Sequence, residues 1–112
     1  MNRYVLLSFD VEEFDMPLEY GQDISMEEQM EKGRQGLEAL IPLLEKYQLP
    51  CTLFTTANYA LKFPEAIKAL SEKHEIASHT FYHSAFKNED LLSSRLELER
   101  ITGKKITGLR MP

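Results

Sequence analysis

Apolar residues fall along this chain in short clusters whose spacing switches between two kinds. Tyr4 to Phe9 is a nearly continuous apolar run, as expected for a strand buried on both faces of a parallel sheet. An acidic stretch from Glu12 to Met30 follows, holding Pro17 and Gly21, and it is expected to be a solvated connection. Within it, Ser25-Met26-Glu27-Glu28 predicts a helix start, with Ser25 as cap and acids in the first turn. From about Gly36 the period becomes helical, with Leu37, Leu40, Ile41 and Leu44 at i, i+3, i+4 and i+7. Pro42 predicts a kink or a new first turn there, and Pro50 closes the segment.

Cys51 to Thr56 is rich in β-formers and predicts a second strand. A loop is expected next, then a helix from Phe63-Pro64-Glu65 with Ala66, Ile67 and Leu70 as its apolar face. Glu75 to Ser78 reads as a short third strand. Asn88-Glu89-Asp90 predicts the cap of a helix carrying Leu91, Leu92, Leu96, Leu98 and Ile101. Gly103 ends it, and Ile106 to Leu109 begins a fourth strand. Strands alternating with helices are the pattern of right-handed βαβ units, hence an α/β fold with a parallel sheet. There is no internal repeat and no low-complexity segment.

Composition narrows the function classes. At 112 residues the chain is one domain at most. Its 43% hydrophobic and 28% charged residues suit a globular protein. A net charge of −5 argues against nucleic acid, because phosphate binding needs a basic surface. No apolar run approaches the roughly 20 residues that span a bilayer. The N-terminus reads as a first strand rather than a signal peptide, so a cytoplasmic location is expected. The single cysteine, Cys51, excludes an internal disulfide and reads as a small core residue.

The candidate chemistry lies in two acids and two histidines. His79 and His83 stand four residues apart just after the third strand, and imidazole is the commonest ligand for divalent transition metals. A catalytic site needs about three protein ligands and an open position. Asp10 and Glu12 follow the first strand, and Arg110 follows the fourth. In parallel sheets, functional groups gather at the carboxyl ends of strands, so all five residues are expected at one edge. The plainer alternatives are a surface histidine pair, a solvated acidic face and a surface arginine. Phe81 and Tyr82 read as packing residues. A phosphoacceptor signalling domain shares the length and the alternation, but His79 stands where its aspartate belongs and no lysine matches.

Ser8-Phe9-Asp10-Val11-Glu12, His79-Thr80-Phe81-Tyr82-His83 and Gly108-Leu109-Arg110-Met111-Pro112 resemble, in order, the first three motifs of the polysaccharide deacetylase family. This is the NodB-like domain, also called carbohydrate esterase family 4. Leu49 to Phe54 and His74 to His79 also resemble its second strand and the segment before its histidines. The resemblance implies a distorted, TIM-like (β/α) barrel of parallel strands, here its first four βα units or so. It also implies a metal-dependent hydrolase acting on amide bonds other than peptide bonds, removing acetyl groups from N-acetylated sugars. His79 and His83 are then metal ligands, Asp10 the general base for water, and Arg110 the partner that orients Asp10. Thr80 would brace the ligand loop. Zinc is the expected metal, with cobalt, nickel and manganese as alternatives.

Two departures qualify that resemblance. The family's first motif has adjacent aspartates, whereas Val11 takes the second place here and Glu12 comes next. On an extended segment residues i and i+2 face the same way, so Glu12 is expected as third ligand while Val11 packs inward. Family relatives that act without metal on cyclic ureides such as allantoin are an alternative, as is a degenerate carbohydrate-binding member. The second departure is that the match stops within the third motif, at Pro112. Residues 1–112 are therefore expected to be the N-terminal portion of one domain, inactive alone and without the later acetyl pocket and general acid. His74 stands before the third strand, at the wrong edge to be that acid. An open sheet edge is expected to favour self-association.

Overall fold

The computed structural model describes residues 2–112. Its centre is a parallel sheet of three strands in the order β1-β2-β3, formed by Ser8–Val11, Thr52–Thr55 and Glu75–Ser78. Five helices connect and cover them: α1 (Met16–Glu19), α2 (Met26–Lys46), α3 (Ala57–Lys62), α4 (Pro64–Leu70) and α5 (Glu89–Thr102). In register, Phe9, Leu53 and Ile76 line up across the sheet, as do Val11, Thr55 and Ser78. These rows face the helices: Val11, Leu53, Ile67, Ile76 and Leu98 form part of one buried cluster. The opposite face carries Asp10, Phe54 and Ala77 in a second aligned row. Alternation along each strand thus separates a packing face from a face free for chemistry.

The first strand lies later than its apolar run suggests. Tyr4, Val5 and Leu6 are 81–94% exposed, and pairing begins at Ser8 opposite Thr52. The cause is the length of β2: residues before Leu7, whose carbonyl accepts from the Thr52 N–H, have no neighbour to pair with. The acidic stretch is also not merely a solvated connection. Glu13, Asp15, Gln29 and Met30 are buried within it, and Phe14 N–H donates to the Gln29 carbonyl at 3.0 Å.

α2 starts where Ser25 predicts, the hydroxyl accepting from Glu28 N–H at 3.1 Å. It then runs unbroken through Pro42 for 21 residues. Pro42 and Glu38, whose carbonyl loses its partner, both lie on the exposed side, where water can take the bond. The expected loop after β2 is instead α3, capped by the Thr56 hydroxyl, which accepts from Tyr59 N–H. Leu91, Leu92 and Leu96 do not form the buried face of α5. They are 41–60% exposed, while Ser94, Leu98, Ile101 and Thr102 are buried. The small Ser94 brings α5 against β3, its hydroxyl 2.8 Å from that of Ser78. Asn88 makes no side-chain cap there; Asp90 accepts from Lys87 N–H instead. Gly103 ends α5 at φ 71°, as expected of a left-handed terminator.

Ile106 to Leu109 does not form a fourth strand. It makes one parallel bridge, Leu109 with Ser78, because Glu99 takes the Ile106 N–H and ties the segment back to α5. Gly108 permits even that approach, since a Cβ there would sit 3.1 Å from Ala77 Cβ. No helix among the described residues is long and apolar enough to cross a membrane.

Candidate functional site

Strand parity builds the site. Val11 points into the core at 5% exposure, which leaves Asp10 and Glu12 on the opposite face, and His79 follows β3 on that same side. Glu12 Oε2 lies 2.8 Å from His79 Nε2 and 3.4 Å from His83 Nε2. The three side chains offer ligand atoms within 4.8 Å of one another. Asp10 Oδ2 stands 3.9 Å from His79 Nε2. Its other oxygen, Oδ1, accepts from Arg110 Nε at 2.9 Å and from a terminal guanidinium nitrogen at 2.5 Å. The second terminal nitrogen donates to Ser8 Oγ, and the guanidinium carbon lies 4.2 Å above the centre of the Phe54 ring. Phe54 is aligned with Asp10 across the β1–β2 pair, so the ring that seats the arginine adjoins the acid it grips.

The two histidines present the same nitrogen. His79 Nδ1 is 2.7 Å from the Arg110 carbonyl, which can only accept, so Nδ1 carries the hydrogen. His83 Nδ1 faces Asp15 Oδ1 at 2.7 Å in the same way. In the neutral rings both Nε2 atoms are therefore lone pairs aimed towards Glu12 Oε2. Glu12 Oε2 and His79 Nε2 are buried and have no hydrogen-bond partner, although they lie close to each other. Lone pairs at that distance repel unless a cation lies among them, either a proton or a metal ion. The donor set fits a metal: two imidazole nitrogens and one carboxylate oxygen suit a divalent transition ion and leave a coordination position open. Burial pushes the pKa of His79 down, but Glu12, the Arg110 carbonyl and Asp10 outweigh it and raise it overall.

The loop that carries His83 is held on three sides. Thr80, fully buried, adopts φ 64° and its hydroxyl donates to the Tyr82 carbonyl at 3.2 Å. Ala57 and Asn58 at the start of α3 donate their N–H groups to the Thr80 and Phe81 carbonyls. The helix thus satisfies its free amides on the ligand loop. Glu13, at 2% exposure, accepts from His83 N–H at 2.9 Å and from the Thr56 hydroxyl at 2.7 Å. Behind Glu12, Gly33 of α2 lets the helix approach the strand: a Cβ there would meet the Glu12 carbonyl oxygen at 2.5 Å. Sequence reasoning brought Asp10, Glu12, His79, His83 and Arg110 to one edge, and the structure does bring them together. It passed over Glu13, Asp15 and Gly33. The density of acids in Glu12-Glu13-Phe14-Asp15 directly after a strand was the available signal.

A family model described as polysaccharide deacetylase matches residues 2–112. A peptidoglycan deacetylase from Helicobacter pylori (strain ATCC 700392 / 26695) is 33% identical over 88 residues, covering 71% of this chain and 30% of that protein. The crystal structure of Puue allantoinase superposes with a TM-score of 0.70 at 20% identity, over 91% of this chain and 44% of that one. A CE4 family pseudoenzyme from Bacillus anthracis gives a TM-score of 0.60 at 18% identity, over 68% of this chain and 30% of that one. The chain therefore spans about a third of the curated relative and less than half of either structure. At these identities the two structures show a shared fold.

Proposed function

Because the chain belongs to the polysaccharide deacetylase family, we propose that the protein is a metal-dependent hydrolase removing acetyl groups from N-acetylated sugars. The observation that carries the reading is the short, unbonded approach of Glu12 Oε2 to His79 Nε2, with His83 Nε2 beside them. The family match and the peptidoglycan deacetylase relative support a carbohydrate polymer as substrate. Glu12, His79 and His83 would hold the ion, zinc by preference, with cobalt, nickel or manganese as substitutes. When bound, such an ion supplies Lewis acidity that brings the pKa of water towards about 7.

The chain's own residues do the rest. Arg110 engages Oδ1 of Asp10, so Oδ2 is the oxygen left to take a proton from attacking water. Arg110 also fixes His79 through its carbonyl, so one residue aligns the base and a ligand together. His74, at the far end of β3, cannot reach a leaving amine from there.

The test is acetate release from an N-acetylated oligosaccharide, measured with and without a chelator. Chelator-sensitive release that returns with zinc supports the reading. Metal-independent hydrolysis of a cyclic ureide would replace it with an allantoinase-like activity. Sugar binding without any release would indicate a non-catalytic member.

A further inference from the structure

Asp15 is almost fully enclosed, at 4% exposure, yet it lies three positions beyond the residue offered as a metal ligand. Both of its carboxylate oxygens are spoken for. Oδ1 faces His83 Nδ1 at 2.7 Å, and Oδ2 accepts from the Ser84 hydroxyl. Asp15 meets the His83 ring on the nitrogen opposite the one directed at Glu12, so it stands behind the ligand set and not within it. Its neighbour Glu13 holds the His83 backbone through the N–H and anchors to Thr56, the cap of α3. The ring and the main chain of His83 are thus each gripped by a buried carboxylate from the segment after β1.

We propose that Asp15 is a positioning residue that fixes which nitrogen of His83 is offered to a metal ion, while Glu13 anchors the main chain of the same histidine. Free neutral imidazole can place its hydrogen on either nitrogen, and only a bare Nε2 can serve as donor towards the centre defined by Glu12 and His79. A carboxylate on Nδ1 holds the hydrogen there and adds electron density to the ring, as carboxylate–histidine–metal arrangements do. The Arg110 carbonyl performs the same task for His79, so the two ligands are set by unlike partners, one neutral and one anionic. This role rests on the metal-site reading above, and it assigns Asp15 and Glu13 a function that packing alone does not require.

The test has two arms. The first is a long-range proton–nitrogen NMR spectrum of the metal-free protein in mildly alkaline buffer, which reports the tautomer of His83. The wild type is expected to hold the hydrogen on Nδ1. Asp15→Ala should move it towards Nε2, while Asp15→Asn, whose amide oxygen still accepts, should keep much of it on Nδ1. The second arm titrates zinc against a chromophoric chelator. Asp15→Ala is expected to bind about 10–100-fold more weakly, with Asp15→Asn in between. A wild-type His83 with its hydrogen on Nε2 overturns the proposal whether or not the variants fold. Unchanged zinc affinity in folded Asp15→Ala also overturns it. Absence of zinc binding in the wild type would refute the metal reading itself, while the tautomer spectrum still decides what Asp15 does to His83.

Discussion

A histidine stands at each end of β3, and the two are built in opposite ways. His74, at the amino end, accepts the Cys51 N–H on Nδ1 at 3.2 Å and has the Cys51 sulfur at 3.5 Å. Its Nδ1 is used as an acceptor, and burial followed by the nearby Lys73 lowers its pKa, with Glu45 opposing. His79, at the carboxyl end, uses Nδ1 as a donor and turns a bare Nε2 towards carboxylates that raise its pKa despite burial. One end of the strand closes a hydrogen bond and is finished. The other turns the lone pairs of His79 Nε2 and Glu12 Oε2 towards each other at 2.8 Å. Residue type is identical; what differs is whether the surroundings complete the side chain or hold it ready for a cation. Parallel strands produce this asymmetry because connecting loops at the carboxyl ends bring distant acids together.

Substitutions around the carboxyl end of β3 are expected to reach the chemistry or the metal site, whereas a change at His74 costs stability alone. Asp10→Asn should lower acetate release by about a hundred- to ten-thousand-fold while leaving zinc stoichiometry unchanged. Loss of the metal in that variant would show that Asp10 is a ligand and not the base. Gly33→Ala, whose new Cβ would press on the Glu12 carbonyl, should cost about 1–3 kcal/mol of stability in chemical denaturation. It should also weaken zinc binding, because the clash falls on the backbone of a ligand. His74→Ala should cost only about 1 kcal/mol through the lost Cys51 bond and leave zinc affinity untouched.

The two histidines should also show opposite pH signatures. His79 is raised, so in metal-free protein its contribution is full below its unfolded pKa and fades as pH rises through the folded value. The stability gap between wild type and His79→Gln should therefore be widest in acid. With zinc present the order reverses, since protons displace the metal as pH falls. His74 is lowered, so its contribution is present above its unfolded pKa and disappears as pH falls through the folded value. Thermal melts across pH for the two variants, with and without zinc, separate these cases. Identical profiles would mean that the two ends are not distinct.

Much of this was legible in the sequence because periodicity alone encodes it. The i, i+2 spacing of Asp10 and Glu12 placed both on one face with Val11 inward, and β3 lies over the predicted residues. Ser25 and Gly103 announced the limits of α2 and α5 through local chemistry. What escaped depended on distant partners. The strand at Tyr4 to Phe9 shifted because pairing with β2, and not hydrophobicity, sets its register. α3 spans only six residues, too few to show a helical period, and its amides are satisfied by the ligand loop. Leu91, Leu92 and Leu96 suggested the wrong face of α5 because the contact is chosen by two serines. Glu13 and Asp15 looked like solvent-facing acids, since nothing near them in sequence reveals that His83 lies against them.

The most direct measurement is the zinc content of purified protein alongside Glu12→Ala and His79→Ala. About one equivalent is expected in the wild type, with loss in both variants, since each supplies one of three ligands. A wild type that takes up no metal would contradict this expectation, as would Glu12→Ala retaining zinc at full affinity. The latter result would leave the short approach of Glu12 to His79 as a protonated pair and nothing more.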